Sequence, residues 1–137
     1  LDPWADAVLT SVVLARPGAV VTTSTRRRRW QVQGGGWAHH VIDPCSGRPA
    51  ATDVAAVVAV ASEAWWAESV AKAALVIGSD GATTLLADHG IDALVIGDDT
   101  EVRRVGTTVV PPGTDAQLCA STMSVASSAR ELMPSLA

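Results

Sequence analysis

The hydrophobic positions of this chain change period several times, and each change predicts an element. Residues 8–15 are an apolar run that predicts a strand, after a strand end and turn over residues 1–6. Arg16-Pro17-Gly18 predicts a turn, because proline fixes φ at one corner and glycine tolerates positive φ at the next. Residues 19–25 are rich in β-branched side chains and predict a second strand, paired with the first as a hairpin. Residues 26–33 continue extended, the glycines at 34–36 turn the chain, and residues 37–42 return as another strand. The run VAAVVAVA over residues 54–61 is the longest uninterrupted apolar stretch and predicts a central strand covered on both faces.

The period then becomes helical. Ser62 as cap and Glu63 in the first turn open a helix over residues 64–77, built from strong helix formers and ended by Gly78. It is apolar nearly all round, which predicts burial against a sheet; Glu68 and Lys72, four apart on one face, are the exceptions. A second helix is expected over 82–89 with Gly90 as its stop, then strands over 93–96 and 101–105 around the turn Gly97-Asp98-Asp99. Beyond Gly106, the Pro111-Pro112-Gly113 break and a Ser/Ala-rich segment predict a linker and a weak helix over 120–133. Strands outnumber helices, and the early ones follow each other through turns. That predicts an α+β fold, a mainly antiparallel sheet with helices packed on one side.

Composition narrows the function classes. The chain has 137 residues, 48% of them hydrophobic, and a mean hydropathy of +0.27, which suits one globular domain and not a disordered segment. No run approaches the ~18 apolar residues of a membrane span. The net charge of −4 supplies no global attraction to nucleic acid. Cys45 and Cys119 are far apart with no CxxC, so neither a zinc site nor a disulfide framework is signalled. The chain starts at Leu1 without a leader pattern, so its true start is expected to lie upstream; the compartment stays open, with the cytoplasm favoured.

Candidate chemistry concentrates in HHVIDPCSGRPA, residues 39–50. His40 and Asp43 at a strand end suit a general base and a carboxylate that holds its tautomer or a ligand hydroxyl. The alternative is a histidine packed in the sheet and an aspartate closing its own turn. The hydroxyls of Thr22, Thr23, Ser24 and Thr25 suit contacts to a flavin, ribose or phosphate, or simply strand propensity. Arg26 to Arg29 beside Trp30 offer phosphate forks and a stacking face, but with no second basic cluster they read better as charge guarding an exposed edge strand. Glu68 and Lys72 form either a surface ion pair or an acid and a base facing a cleft. Cys45 reads as a spectator thiol in a turn.

Taken together, these blocks resemble the C-terminal part of the ApbE family, the FAD:protein FMN transferases. The resemblance rests on PGAVVTTSTRRRRW, AHHVIDPCSGRPA and VAAVVAVASEAWWAESVAKAALVIG, in order and at matching spacing over residues 1–105. It implies an α+β domain that binds FAD in a cleft with Mg²⁺ on the pyrophosphate, and transfers FMN to a Thr or Ser hydroxyl of an acceptor flavoprotein, releasing AMP. It assigns His40 and Asp43 to ligand contact and proton transfer, and Thr22 and Thr23 to the flavin site, with Ser24 beside them in place of the family's glycine. Glu68 stands where the family has a metal-binding aspartate, and Lys72 where it has threonine. Glutamate is still an oxygen donor for Mg²⁺, whereas the Lys72 ammonium is not a ligand and would meet the pyrophosphate directly. The family's N-terminal half is missing, so a partial domain is expected, followed by a tail over residues 106–137. The alternative function is a non-catalytic FAD-binding or remnant domain that has lost the metal site.

Overall fold

The computed structural model describes residues 17–107 together with Leu14 and the short strands Ser11–Val12 and Val109–Val110. The turn expected over 1–6, most of the strand over 8–15, and the linker and helix over 111–137 lie outside the described residues. In chain order the elements are β1 (Ser11–Val12), β2 (Ala19–Ser24), β3 (Arg29–Gln31), β4 (Trp37–His39), β5 (Val54–Ala61), α1 (Ala64–Ile77), α2 (Ser79–Asp88), β6 (Asp92–Gly97), β7 (Val102–Val105) and β8 (Val109–Val110). The main sheet has the order β2-β5-β6-β7, and every neighbouring pair is antiparallel. Two separate two-stranded ribbons, β1-β8 and β3-β4, complete the described strands.

The apolar run of β5 becomes the central strand because both of its edges and both of its faces are occupied. Residues 54–59 are all buried. Val57 and Ala59 meet the helices together with Ala93 and Val95 of β6, while Val58 packs with Leu94 and Val60 on the other face. On α1, Ala67, Val70, Ala71, Ala74 and Leu75 are buried, a spacing that places them on one helical stripe. Three of the five are alanines, so the helix axis lies close to the sheet. Leu75 and Leu86, both fully buried, fill the remaining volume.

Two local expectations are corrected. Among the described residues the hairpin between the first two strands is not seen: β2 pairs along β5, from Ala19 opposite Ala61 to Ser24 opposite Ala56, and Ser11–Val12 pair with Val110 and Val109. The Pro-Gly signal coincides with a bend at Pro17 and carries no information about the partner of the strand that follows. Ser62 does not cap α1; the cap position is Glu63, in extended conformation and with no side-chain bond to the first turn. The expected burial of the helix against the sheet holds, while Trp65, 66% exposed, and Ile77, 55% exposed, lie on sides the sheet does not cover. One sheet face covers only one stripe of a helix.

The second helix starts three residues earlier than expected, at Ser79, because a distant residue caps it. Asp53 Oδ1 accepts the Ser79 backbone N–H at 2.9 Å, and its Oδ2 accepts the Ser79 hydroxyl at 2.5 Å. Gly78 joins the two helices at φ +91°, and a Cβ there would stand 3.1 Å from Asp53 Oδ1. Only glycine serves both demands.

Two outcomes follow. Gly78→Ala and Asp53→Ala should each destabilise the chain by about 1–2 kcal/mol in urea titrations, and the double variant by less than the sum, because both remove the same cap. Hydrogen bonds from the Ser79 side chain and backbone, with a smaller contribution from Arg103, hold the Asp53 carboxyl below the usual range. A depressed carboxylate contributes stability above its unfolded pKa and loses it as pH falls through its folded value. The stability gap between the wild type and Asp53→Asn should therefore be widest at neutral pH and narrow steadily below about pH 4.

Candidate functional site

The His-Asp block folds as a tight hairpin after β4. Ile42 and Pro49 form a β-bridge, and the Asp43 N–H donates to the Arg48 carbonyl at 2.9 Å. The Gly47 N–H returns to the Asp43 carbonyl at 2.9 Å, with Gly47 at φ +66°. Inside the turn the Asp43 carboxylate accepts the Cys45 N–H at 2.9 Å and the Ser46 N–H at 3.3 Å. Hydrogen bonding from the Ser46 side chain, then from the Cys45 backbone, holds its carboxyl below the ordinary carboxylate range. Asp43 thus closes its own turn, and part of its acceptor capacity is left over.

His40 is oriented by the preceding segment. Its backbone N–H donates to the Arg28 carbonyl at 3.3 Å, and Nδ1 lies 3.4 Å from the same oxygen. A carbonyl only accepts, so Nδ1 carries a proton in that contact, and in the neutral ring the lone pair then lies on Nε2. His39 is committed differently: its Nε2 donates to the Ala50 carbonyl at 3.1 Å, which leaves Nδ1 as a buried acceptor without a donor. The two adjacent histidines line different cavities, as alternation along a strand requires.

The hairpin faces the flank of α1 across a cleft of about 650 Å³. His40, Ile42, Asp43 and Cys45 line one wall, and Lys72, Val76 and Ile77 the other. The exposed Ile77 and the partly buried Val76 therefore form the apolar part of one wall of a ligand-sized groove. Glu68 and Lys72 form an ion pair, with side chains 42% and 49% exposed. Lys72 lines the cleft and Glu68 does not.

The hydroxyl run does not join this cleft. Thr22 is exposed on β2, and Thr23 is buried with only 4% of its surface accessible. Ser24 Oγ donates to the Ala55 carbonyl at 2.9 Å and accepts the Arg26 N–H at 3.0 Å. Thr25 Oγ1 donates to the same carbonyl at 3.4 Å. The end of the run is spent tying β2 to the start of β5. Of the arginines, Arg26 bonds Asp98 at 2.6 Å, and Arg29 stacks on Trp37 with 4.6 Å to the ring centroid. Two smaller cavities, about 170 and 190 Å³, lie around Asp98, one toward Asp53 and Arg103 and one toward Arg26 and His39.

The residues present do not fit a divalent cation at the position implied by the resemblance. Hard cations take several oxygen ligands, yet the Glu68 carboxylate is already bonded to an ammonium. Among the described residues no three His, Cys, Asp or Glu side chains converge as a metal cluster. Sequence reasoning missed the walls formed by Val76 and Ile77 and the anchoring role of Asp53. The all-round apolar character of α1 was the signal for the first; the second had none, because Asp53 acts 26 residues away.

Comparison with known proteins now bears on the site. The family model described as the ApbE family matches residues 2–95. The FAD:protein FMN transferase of Treponema pallidum is 39% identical over 93 residues, 67% of this chain and 25% of that protein. The crystal structure of the ApbE protein of Thermotoga maritima superposes with a TM-score of 0.68 at 29% identity, covering 77% of this chain and 34% of that one. The flavin transferase ApbE of Vibrio cholerae shares the fold, with a TM-score of 0.53 at 23% identity over 65% of this chain and 28% of its own. The chain thus spans between a quarter and about a third of the length of these relatives. The sheet order, the two helices packed on it and the family match over most of the chain lead to one assignment: this chain belongs to the ApbE family, as a partial α+β domain.

Proposed function

We propose that this chain is part of an FAD:protein FMN transferase, which moves the FMN portion of FAD to a Thr or Ser hydroxyl of an acceptor flavoprotein. The acceptor oxygen bonds to the FMN phosphorus, the pyrophosphate bridge breaks, AMP leaves, and the hydroxyl proton passes to a base. The observation that carries this reading is the convergence of the His40–Asp43 hairpin and the Lys72 face of α1 on one cleft. Ile42, Val76 and Ile77 suit a planar aromatic ring system, and an ammonium beside them suits phosphate oxygens.

Within this reading His40 Nε2, with its free lone pair, receives the acceptor proton. Asp43 acts through the turn: with its carboxylate bonded to two backbone N–H groups it holds Cys45 and the cleft wall in place. Positioning and electrostatics dominate phosphoryl transfer, so a rigid turn opposite a fixed cation is the contribution these residues make. The pairing of Glu68 with Lys72 favours a second reading, a domain that binds FAD without turnover.

Incubating the chain with FAD, Mg²⁺ and an acceptor peptide should give covalent flavin fluorescence on the peptide. FAD binding without any transfer, with the fold intact by circular dichroism, would sink the transferase and leave the binding domain. His40→Gln should retain FAD binding and lower transfer by about 10²-fold or more. Because the Asp43 carboxyl is depressed, the turn stays charged and closed down to the lower end of the carboxylate range. The loss of FAD binding caused by Asp43→Ala should therefore be constant from neutral pH to about pH 4 and shrink only below it.

A further inference from the structure

We propose that the Lys72 ammonium is the fixed cation of the cleft and takes the pyrophosphate of a dinucleotide such as FAD with no divalent metal. The inference rests on the reading that this cleft binds FAD, and it specifies how. Lys72 is the only lysine of the chain, and it stands on the cleft wall opposite His40 and Asp43. The acid that pairs with it, Glu68, sits one helical turn back and outside the cleft lining. The cation therefore points its site toward the ligand space, and the carboxylate that a metal would need faces a positive charge already in place.

The energetics allow a ligand to take over. An exposed Glu-to-Lys pair at this spacing is a weak contact, and an ammonium has three donors of which one carboxylate oxygen uses one. A pyrophosphate brings more charge and more acceptor oxygens than Glu68, so Lys72 can bind it without losing its helix partner. The opposing charge in the cleft is the Asp43 carboxylate, which is partly neutralised by the Cys45 and Ser46 N–H groups. Glu68 also limits where the ammonium swings, so the charge is presented from one place.

The test is titration of the full chain with FAD, followed by quenching of flavin fluorescence, once in excess EDTA and once in millimolar Mg²⁺. The dissociation constant should be the same in both within about twofold, and Lys72→Met should raise it by about tenfold or more in EDTA. Lys72→Arg, which keeps the charge, should bind within a few-fold of the wild type. Wild-type binding that needs Mg²⁺, or a folded Lys72→Met that binds as well as the wild type, overturns the inference while leaving FAD as the ligand. A chain that is folded by circular dichroism and binds no FAD in either buffer overturns the FAD reading itself, and this inference with it.

Discussion

The carboxylate of Asp53 is the constraint on which the rest of the arrangement depends. It caps α2 through both Ser79 donors, and the Asp53 carbonyl accepts the Asp98 N–H at 2.7 Å. Asp98 in turn holds Arg26, just beyond β2. One end of the sheet therefore gathers the exit of β2, the entry to β5, the break between the helices and the β6-β7 turn. Because β5 runs directly into α1 through Ser62 and Glu63, fixing the entry to β5 and the exit of α1 restrains the helix at both ends. The side chains it offers to the hairpin at residues 43–48 are set by that restraint.

The cleft follows from an imbalance of apolar surface. α1 carries more apolar side chains than the sheet is able to cover, and the exposed Ile77, beside the partly buried Val76, remains next to the turn closed by Asp43. A groove of this kind gains from any planar ligand that removes it from water, by roughly 25 cal/mol for each Å² of apolar surface buried. The charged residues at its edge then decide orientation. Of the residues that look chemically richer, the hydroxyls at 22–25, the last two are drawn instead into joining β2 to β5, where Ala55 accepts both.

Much of the fold was readable in the sequence because periodicity reports burial directly. The central strand followed from its uninterrupted apolar run and the body of α1 from its strong helix formers, and Gly78 and Gly90 ended the helices as glycine's access to positive φ predicts. What failed was information carried between distant segments. The partner of β2, the cap of α2 by Asp53 and the separation of Thr22 and Thr23 from His40 all depend on strands whose pairing no local pattern encodes. The candidate site was half readable for the same reason. His40, Asp43 and Lys72 were singled out by type and spacing, and they meet because the sheet folds the hairpin over the helix.

The position of Lys72 also makes the chain chemically addressable. Apart from the chain's own terminus, the cleft wall holds the single primary amine of the chain. Reagents that acylate or reductively alkylate amines therefore meet one side chain here, and it stands where a ligand would shield it. A fluorophore or isotopic methyl group placed on that nitrogen would report occupancy of the groove and the ionisation of its surroundings. The scarcity of lysine, a matter of composition, thus gives the groove its own spectroscopic label.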